Sequence, residues 1–296
     1  MSFDGASVKQ PTTDHVRDPS GIDFFRLRAG RAVAELAPGR GGLITRFAVD
    51  GDEILYLDRK TFLDRKQNVR GGIPVLFPIA GRLTGDRYQA LGQSFPMRQH
   101  GLARHANWEV MDVEQARVSM EFRSSPASKV NFPFDFVLRM SVDLGRAGFR
   151  TLGLEISITN TGSQPMPTHF GLHPYFFVPD HDRDRIRVEV DAQYAFNNNT
   201  GESGPWNGHV DLTQPSVDLH LSDLQSQTSL IHIPGRPPRR IEMSDFFTTV
   251  VLWQSPLQDF LCVEPWSAPS DALNTGVCLR TLDPGDSLSG EVIISV

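Results

Sequence analysis

Apolar and polar residues alternate strictly along several short segments of this chain, and no other feature constrains its fold as strongly. The alternation runs through residues 152–159, and a shorter run covers residues 118–122. A period of two is typical of strands that bury one face. Runs of Gly, Pro, Asn and Asp, such as residues 283–286, mark turns between these segments. Because no long amphipathic helix is evident, the sequence predicts an all-β protein, a large sandwich or barrel.

The segments predicted as strands share this pattern and are bounded by turn signals. Examples are residues 24–27, 32–36, 42–49, 108–113, 118–122, 134–142, 152–159, 185–190, 250–253 and 292–296. Residues 61–69 are expected to make at most one short helical turn. Residues 1–20 are predicted to be a poorly ordered polar lead-in, and residues 21–296 a single domain. Residues 196–215, rich in Asn, Gly, Ser and Pro, are predicted to be a long loop.

Composition excludes several classes of protein. The 296 residues are 39% hydrophobic and include 19 Phe and 4 Trp, which excludes disorder as the main state. The formal net charge of -6 argues against a general nucleic-acid binder. No apolar run reaches the ~18 residues that span a bilayer, and the N-terminus lacks a signal-peptide pattern. Cys262 and Cys278 are the only cysteines. We therefore expect a cytoplasmic protein without a disulfide framework.

Residues that can carry chemistry concentrate in four segments, of which the first two each contain both arginine and glycine. Arg70 precedes Gly71 and Gly72, and paired glycines let the backbone approach a ligand closely. No Gly-Lys-Ser/Thr follows, so this is not a phosphate-binding P-loop, and a sheet-edge bulge remains the alternative. In the second segment His100 and Arg104 could bind hydroxyls or an anion, or His100 could be a structural loop histidine.

The third segment, residues 168–177, places histidines and a phenol on one strand face. His169, His173 and Tyr175 share that face, while the opposite face is apolar. Histidine is the side chain that exchanges a proton near neutral pH. The same residues could form a hydrogen-bonded core pair or supply two metal ligands, although no compact set of further ligands follows in the sequence.

The fourth segment, residues 260–266, places Glu264 on the same strand face as Cys262 and Trp266. A carboxylate in such surroundings is desolvated, which raises its pKa and makes it a better base. A tryptophan can also pack on a sugar ring. The alternative is a structural glutamate paired with an arginine. Together, a histidine acid, a glutamate base, arginine donors and aromatic surfaces describe a carbohydrate site, with no nucleotide loop or serine nucleophile elbow.

Taken in order, these segments resemble the aldose 1-epimerases, the galactose mutarotase-like proteins, and especially the branch that includes hexose-6-phosphate mutarotases. The resemblance extends over roughly residues 22–296. The motifs that carry it are Arg70-Gly71-Gly72-Ile73-Pro74, His100-Gly101-Leu102-Ala103-Arg104, Leu172-His173-Pro174-Tyr175-Phe176 and Glu264-Pro265-Trp266. It implies a β-supersandwich of one large domain, with the site in a cleft on one sheet.

The resemblance also implies an isomerase that interconverts the α and β anomers of a hexose or hexose phosphate by acid/base ring opening. On the matching positions, His173 is the general acid and Glu264 the general base. Arg70 and His100 contact sugar hydroxyls or the ring oxygen, and Arg104 helps to hold an anion. No cofactor or metal is implied, and the expected partner is a sugar or sugar phosphate rather than a nucleic acid or a membrane.

Two further sugar-binding residues are expected, Asp245 by its match to the family's aspartate and Trp266 by its aromatic face. The chain departs from the branch at Leu102, where phenylalanine is usual, and after Trp253, where Gln254 replaces asparagine. These departures leave the identity of the sugar open.

Three other functions stay open at this stage. One is a non-catalytic carbohydrate-binding or sugar-sensing protein on the same fold. A second is a lyase or glycoside-processing enzyme, which needs a second carboxylate or a tyrosine base such as Tyr175 across the bond that is cut. The third is a cupin-like metal enzyme built on His169 and His173. The sequence does not indicate an oligomeric state.

Overall fold

The computed structural model describes residues 10–146, 148–256 and 258–296. Most of these residues lie in strands, as the alternation predicts. The first twelve strands are β1 (Thr12–Arg17), β2 (Asp23–Ala29), β3 (Ala32–Ala37), β4 (Leu43–Val49), β5 (Asp52–Glu53), β6 (Val75–Leu76), β7 (Arg87–Ala90), β8 (Gln93–Pro96), β9 (Glu109–Glu114), β10 (Arg117–Arg123), β11 (Phe136–Leu144) and β12 (Thr151–Asn160). The others are β13 (Met166–Thr168), β14 (Gly171–Leu172), β15 (Tyr175–Phe177), β16 (Arg187–Asn197), β17 (Glu202–Pro205), β18 (Val217–His232), β19 (Arg239–Met243), β20 (Thr249–Gln254), β21 (Phe260–Trp266), β22 (Arg280–Leu282) and β23 (Ser287–Ser295).

Helices in the described ranges are short. The α-helices are α1 (Arg59–Leu63), α2 (Pro126–Lys129) and α3 (Ala272–Thr275), and the 3-10 turns are Pro38–Arg40, Thr84–Asp86, Ala103–His105 and Asp180–Arg185. The predicted single turn within residues 61–69 overlaps only the end of α1, which begins at Arg59 and is capped by Asp58, whose side chain accepts from the backbone N–H groups of Lys60 and Thr61. Nowhere in the described residues is a helix long and apolar enough to cross a membrane.

A 14-stranded sheet dominates the described part of the chain. Its main path is β6-β14-β21-β20-β18-β19-β23-β12-β11-β10-β9; β15 pairs with β21, and β16 pairs with β17 and β18. A second sheet runs β1-β2-β3-β4-β5, and two ribbons pair β13 with β22 and β7 with β8. One hydrophobic cluster joins the two larger sheets, with Leu27 and Phe47 from the smaller sheet and Met140, Leu154 and Ile294 from the larger. The all-β prediction is therefore confirmed.

The structure corrects the prediction for the N-terminal lead-in. Residues 1–9 lie outside the described residues, but Thr12–Arg17 forms β1, paired antiparallel with β2. This edge strand has no apolar period because backbone hydrogen bonds and exposed cross-strand pairs hold it. His15 stacks on Phe25 with ring centroids 4.9 Å apart, and Arg17 donates to Asp23 at 2.9 Å.

The predicted loop 196–215 is also partly wrong, because it contains β17, which pairs with the end of β16. The strand that follows, β18, is the longest in the described residues and was not predicted. Its middle, residues 222–229, is polar. Asp223 there has φ 55°, and the register against β16 shifts between Val190 and Ala192. Such a bulge interrupts the alternation by which strands are recognised.

Candidate active site

A cavity of about 660 Å³ opens on the large sheet where β18, β20 and β21 lie side by side. Loops that precede β6 and follow β8 complete its wall. Six of the seven predicted site residues line it: Arg70, His100, Arg104, His173, Glu264 and Trp266. Residues that lie almost 200 positions apart in the sequence therefore meet in one cleft, as the family resemblance implies.

Strand β21 is the floor of this cavity. Its period of two presents Cys262, Glu264 and Trp266 on one face, as predicted from the sequence. Glu264 lies opposite Val251 of β20. His173 lies between β14 and β15, both of which pair with β21, so its ring comes to lie beside Glu264.

His173 and Glu264 form a close, buried pair. The Nε2 atom of His173 lies 3.4 Å from Oε1 of Glu264, and the two residues are only 6% and 1% exposed. The other carboxylate oxygen accepts from the indole N–H of Trp266 at 3.1 Å. The imidazole stacks on Tyr175 with centroids 4.7 Å apart and planes 6° from parallel. These contacts fix both side chains before any ligand binds.

Burial sets the protonation of the pair. It raises the pKa of Glu264 well above its ordinary value, and the nearby charge of Asp218 raises it further, while Trp266 and Arg104 act in the opposite direction. Burial also lowers the pKa of His173 well below its ordinary value, and Arg104 adds to that effect. The neutral forms of both groups are thus favoured, which leaves one proton on the pair, carried by Glu264.

His100 is held in one orientation by two hydrogen bonds to the backbone of Gly81. The backbone N–H of His100 donates to the carbonyl of Gly81 at 2.8 Å, and the backbone N–H of Gly81 donates to the ring Nδ1 of His100 at 3.1 Å. Burial lowers the pKa of His100 well below its ordinary value, so the ring is neutral and carries its proton on Nε2. Its ring lies edge-on to His173, with centroids 5.5 Å apart. His100 therefore offers the cavity a donor at Nε2.

Gly101 allows this arrangement. His100 and Gly101 both have positive φ, 66° and 72°, and a Cβ on Gly101 would lie 2.3 Å from the carbonyl oxygen of Phe77. That carbonyl accepts from the backbone N–H of Leu102 at 2.7 Å, so it cannot move away freely. Only glycine fits at this close approach of two chain segments.

Two arginines supply unpaired positive charge. Among the described residues, neither Arg70 nor Arg104 has a carboxylate oxygen within 4.0 Å. The Arg70 guanidinium lies over the ring of Trp253, 5.6 Å from its centroid. By contrast, a groove of about 760 Å³ on the outer face of the large sheet has its arginines already paired, such as Arg117 with Glu155 at 2.6 Å. Arg70 and Arg104 therefore present guanidinium groups without a carboxylate partner to the cavity above Glu264.

Sequence reasoning missed several polar residues that line the cavity, among them Asn198, Asp218 and His220. The Oδ1 atom of Asp218 lies 3.1 Å from Nε2 of His220, and Oδ2 accepts from the Asn198 amide at 2.8 Å. The His220 ring also lies edge-on to Trp266, with centroids 5.2 Å apart. The signal was the alternation in residues 217–221, where Asp218 and His220 interleave with apolar residues.

Asp245 is a correction to the predicted site. It lies in the turn between β19 and β20, is exposed, and does not line the cavity. Its carbonyl accepts from Arg280 at 3.2 Å, and the backbone N–H of the preceding Ser244 donates to Glu291 at 2.9 Å. These bonds hold the turn against β22 and β23. The aspartate that lines the cavity is Asp218.

The roles expected of two other residues also change. Trp266 is only 2% exposed and faces Glu264 through its indole N–H, whereas the half-buried Trp253 presents the more open ring. His169 is fully buried, and its Nδ1 accepts from the backbone of Ala80 at 3.4 Å. It does not line the cavity with His173, which removes the basis for a metal enzyme built on those two histidines.

Comparison with known proteins supports the resemblance across the chain. The sequence profile described as aldose 1-epimerase matches residues 23–295. A protein of Cenchrus ciliaris named "putative glucose-6-phosphate 1-epimerase" is 25% identical over 97% of this chain and 89% of its own length. The crystal structure of the Slr1438 protein from Synechocystis is 35% identical, with a TM-score of 0.86 over 100% of this chain and 99% of that chain.

A galactose mutarotase-like protein of Clostridium acetobutylicum shares the fold, with 20% identity and a TM-score of 0.81 over 96% of this chain and 98% of that chain. The predicted galactose mutarotase-like fold is thereby confirmed. The match of the family profile to almost the whole chain gives the enzyme class as well. This chain belongs to the aldose 1-epimerase family of isomerases.

Proposed function

We propose that this protein interconverts the α and β anomers of a hexose phosphate, with His173 and Glu264 as the groups that transfer protons. The observation that carries the proposal is the 3.4 Å approach of His173 Nε2 to Glu264 Oε1 on the floor of the cavity. An acid and a base within reach of one small ligand are what ring opening needs, since one hydroxyl loses a proton while the ring oxygen gains one.

In the proposed reaction Glu264 takes the proton of the C1 hydroxyl, and His173 gives a proton to the ring oxygen. The bond between C1 and the ring oxygen breaks, and an open-chain aldehyde forms. Rotation about the C1–C2 bond presents the other carbonyl face, and ring closure reverses both proton transfers. No proton is gained or lost over the cycle.

Burial assists the opening step. With a cyclic sugar bound, the one proton of the pair must lie on His173 and not on Glu264, and the transfers convert this ion pair to neutral imidazole and carboxylic acid. Those are the forms that burial favours, because it raises the pKa of Glu264 and lowers that of His173. The Nε2–H of His100 and the guanidinium groups of Arg70 and Arg104 would position the sugar oxygens around the pair.

A phosphorylated substrate is supported by the charge of the cavity. Arg70, Arg82 and Arg104 all line it, and Arg70 and Arg104 have no carboxylate partner among the described residues. Guanidinium groups bind phosphate oxygens in a bidentate manner. The name of the Cenchrus ciliaris relative agrees with a phosphorylated hexose.

The test is anomer exchange measured by NMR on equilibrated glucose, galactose, glucose 6-phosphate and galactose 6-phosphate. We expect the wild-type protein to accelerate exchange and to prefer a phosphorylated member. Acceleration of the neutral sugars alone would refute the phosphate assignment. Sugar binding without any acceleration would refute catalysis and leave a sugar-binding protein on the same fold.

Arg104→Gln separates binding of the phosphate from binding of the sugar. A hydrogen bond to a charged group contributes about 1.5–3 kcal/mol, so kcat/KM for the phosphosugar should fall roughly 10- to 100-fold. The matched control is Arg98→Gln, which changes an exposed arginine of the same loop that does not line the cavity. Equal losses in the two variants would mean that general charge, and not Arg104, governs recognition.

A further inference from the structure

Cys262 lies beside the proposed catalytic pair but has no part in the proton transfers. Its Sγ atom, a ring nitrogen of His173 and a carboxylate oxygen of Glu264 all lie within 4.8 Å of one another. The three residues are 0%, 6% and 1% exposed. The arrangement follows from the sheet, because Cys262 and Glu264 are two apart on β21 and Tyr175, two residues after His173, pairs with Cys262.

We propose that His173, Cys262 and Glu264 form a binding site for Zn²⁺ or a similar borderline-soft divalent cation. One nitrogen, one sulfur and one carboxylate oxygen are a ligand set that zinc accepts, whereas Mg²⁺ and Ca²⁺ take oxygen ligands. Three protein ligands leave a fourth position of the tetrahedron open toward the cavity, where a water molecule can bind. This site deepens the proposed function, because the cation would occupy the two groups that move protons.

The distances suit a tetrahedral ion after a small adjustment. With zinc bonds of roughly 2.0–2.3 Å, neighbouring ligand atoms of a tetrahedron lie about 3.5 Å apart. The approach of His173 to Glu264 already meets this at 3.4 Å. The sulfur of Cys262 lies within 4.8 Å of the other two ligand atoms, so a small shift of its side chain completes the set. Trp266 donates to the other oxygen of Glu264 at 3.1 Å, leaving Oε1 toward the ion, as outer hydrogen bonds do in metal sites.

Binding is coupled to the release of protons. The cation displaces the one proton held by His173 and Glu264 and the proton of the Cys262 thiol, and both pass to water. Burial raises the pKa of this thiol well above its ordinary value, so without a metal it remains protonated. The positive charges of Arg70 and Arg104 oppose the cation, and Asp218 favours it. Affinity should therefore rise with pH.

Titration of the full-length protein with Co²⁺ as a spectroscopic substitute for zinc tests the site. We expect one equivalent to give a thiolate-to-cobalt charge-transfer band in the near ultraviolet, which Zn²⁺ then abolishes. The band should persist in Cys278→Ser, which removes the exposed cysteine, and vanish in Cys262→Ser. Absence of the band in the wild type, or its persistence in Cys262→Ser, would overturn the proposal.

Glu264→Gln provides a second variant in case Cys262→Ser fails to fold. It keeps the thiol and the imidazole but loses the anionic ligand, so cobalt affinity should fall at least tenfold, by about 1.4 kcal/mol or more. Unchanged affinity would show that Glu264 is not a ligand and would overturn the site as proposed.

The effect on anomer exchange distinguishes failure of the metal site from failure of the proposed function. We expect Zn²⁺ to inhibit wild-type exchange, with reversal by a chelator and relief by excess sugar. A cobalt band without any catalysed exchange would refute the function while the metal site stands. Catalysed exchange that Zn²⁺ does not slow, with no cobalt band, would refute the metal site alone.

Discussion

Replacing Glu264 by glutamine removes the proposed base and changes little else. Glutamine has almost the same volume, and its carbonyl oxygen can still accept from the indole N–H of Trp266. In the wild-type protein that nitrogen lies 3.1 Å from the carboxylate oxygen. The amide cannot take the proton of the C1 hydroxyl. The variant should therefore bind the sugar but fail to catalyse ring opening.

The expected loss in kcat follows from the proposed role of Glu264 as the general base. A positioned general base typically contributes 10²–10⁴ in rate, so kcat should fall by that factor, about 3–5 kcal/mol of transition-state stabilisation. Because glutamine preserves the contact with Trp266 and the shape of the floor, KM should change by no more than about threefold.

Anomer exchange by NMR, corrected for the spontaneous rate in water, measures this loss. The matched control is Asp245→Asn, the same change of carboxylate to amide at an exposed turn outside the cavity. It should keep the wild-type rate. Turnover of Glu264→Gln within about threefold of wild type would refute the reasoning, as would an equal loss in Asp245→Asn.

Three further outcomes follow from the structure. The pH profile of wild-type kcat/KM should have two limbs that belong to the His173–Glu264 pair, and its acid limb should disappear in Glu264→Gln, because only the need for a protonated His173 remains; a flat profile from about pH 5 to 9 would contradict the pair. Because burial raises the pKa of Glu264, the folded state loses stability as pH rises above about 4.3. The Tm of Glu264→Gln relative to wild type should thus increase as pH rises from 4.5 to 8 in a calorimetric series. A difference in Tm that does not change with pH would contradict the raised pKa of Glu264. Gly101→Ala should lower Tm by several degrees more than Gly92→Ala, since both glycines have φ near 72° but only Gly101 would clash.

Strands that bury one face were predictable from the sequence. The alternation in residues 152–159 corresponds to β12, whose exposure alternates along its whole length. Strands that other interactions hold in place were not predictable in this way. Edge strand β1 depends on backbone pairing, and β18 contains a polar bulge near Asp223, so neither has a continuous apolar period.

The same distinction explains which residues of the candidate site were predictable from the sequence. His173 and Glu264 were predictable because each lies on a strand face of unusual polarity, within a motif that matches a known family. Asp218 was missed because β18, the strand that contains it, was not predicted. Asp245 was assigned by its match to the family's sugar-binding aspartate, but the turn that holds it packs toward β22 and β23, away from the cavity. Sequence spacing specifies which residues share a strand face and not which way a turn projects.

The exchange rate of the double variant His173→Asn plus Glu264→Gln, compared with the two single variants, tests the central claim most directly. If the two groups transfer protons to and from one sugar in one transition state, removing both should cost little more than removing either, within about tenfold. Losses that multiply to the product of the single effects would mean that the two groups act independently, and a double variant with near wild-type exchange would contradict the proposed site.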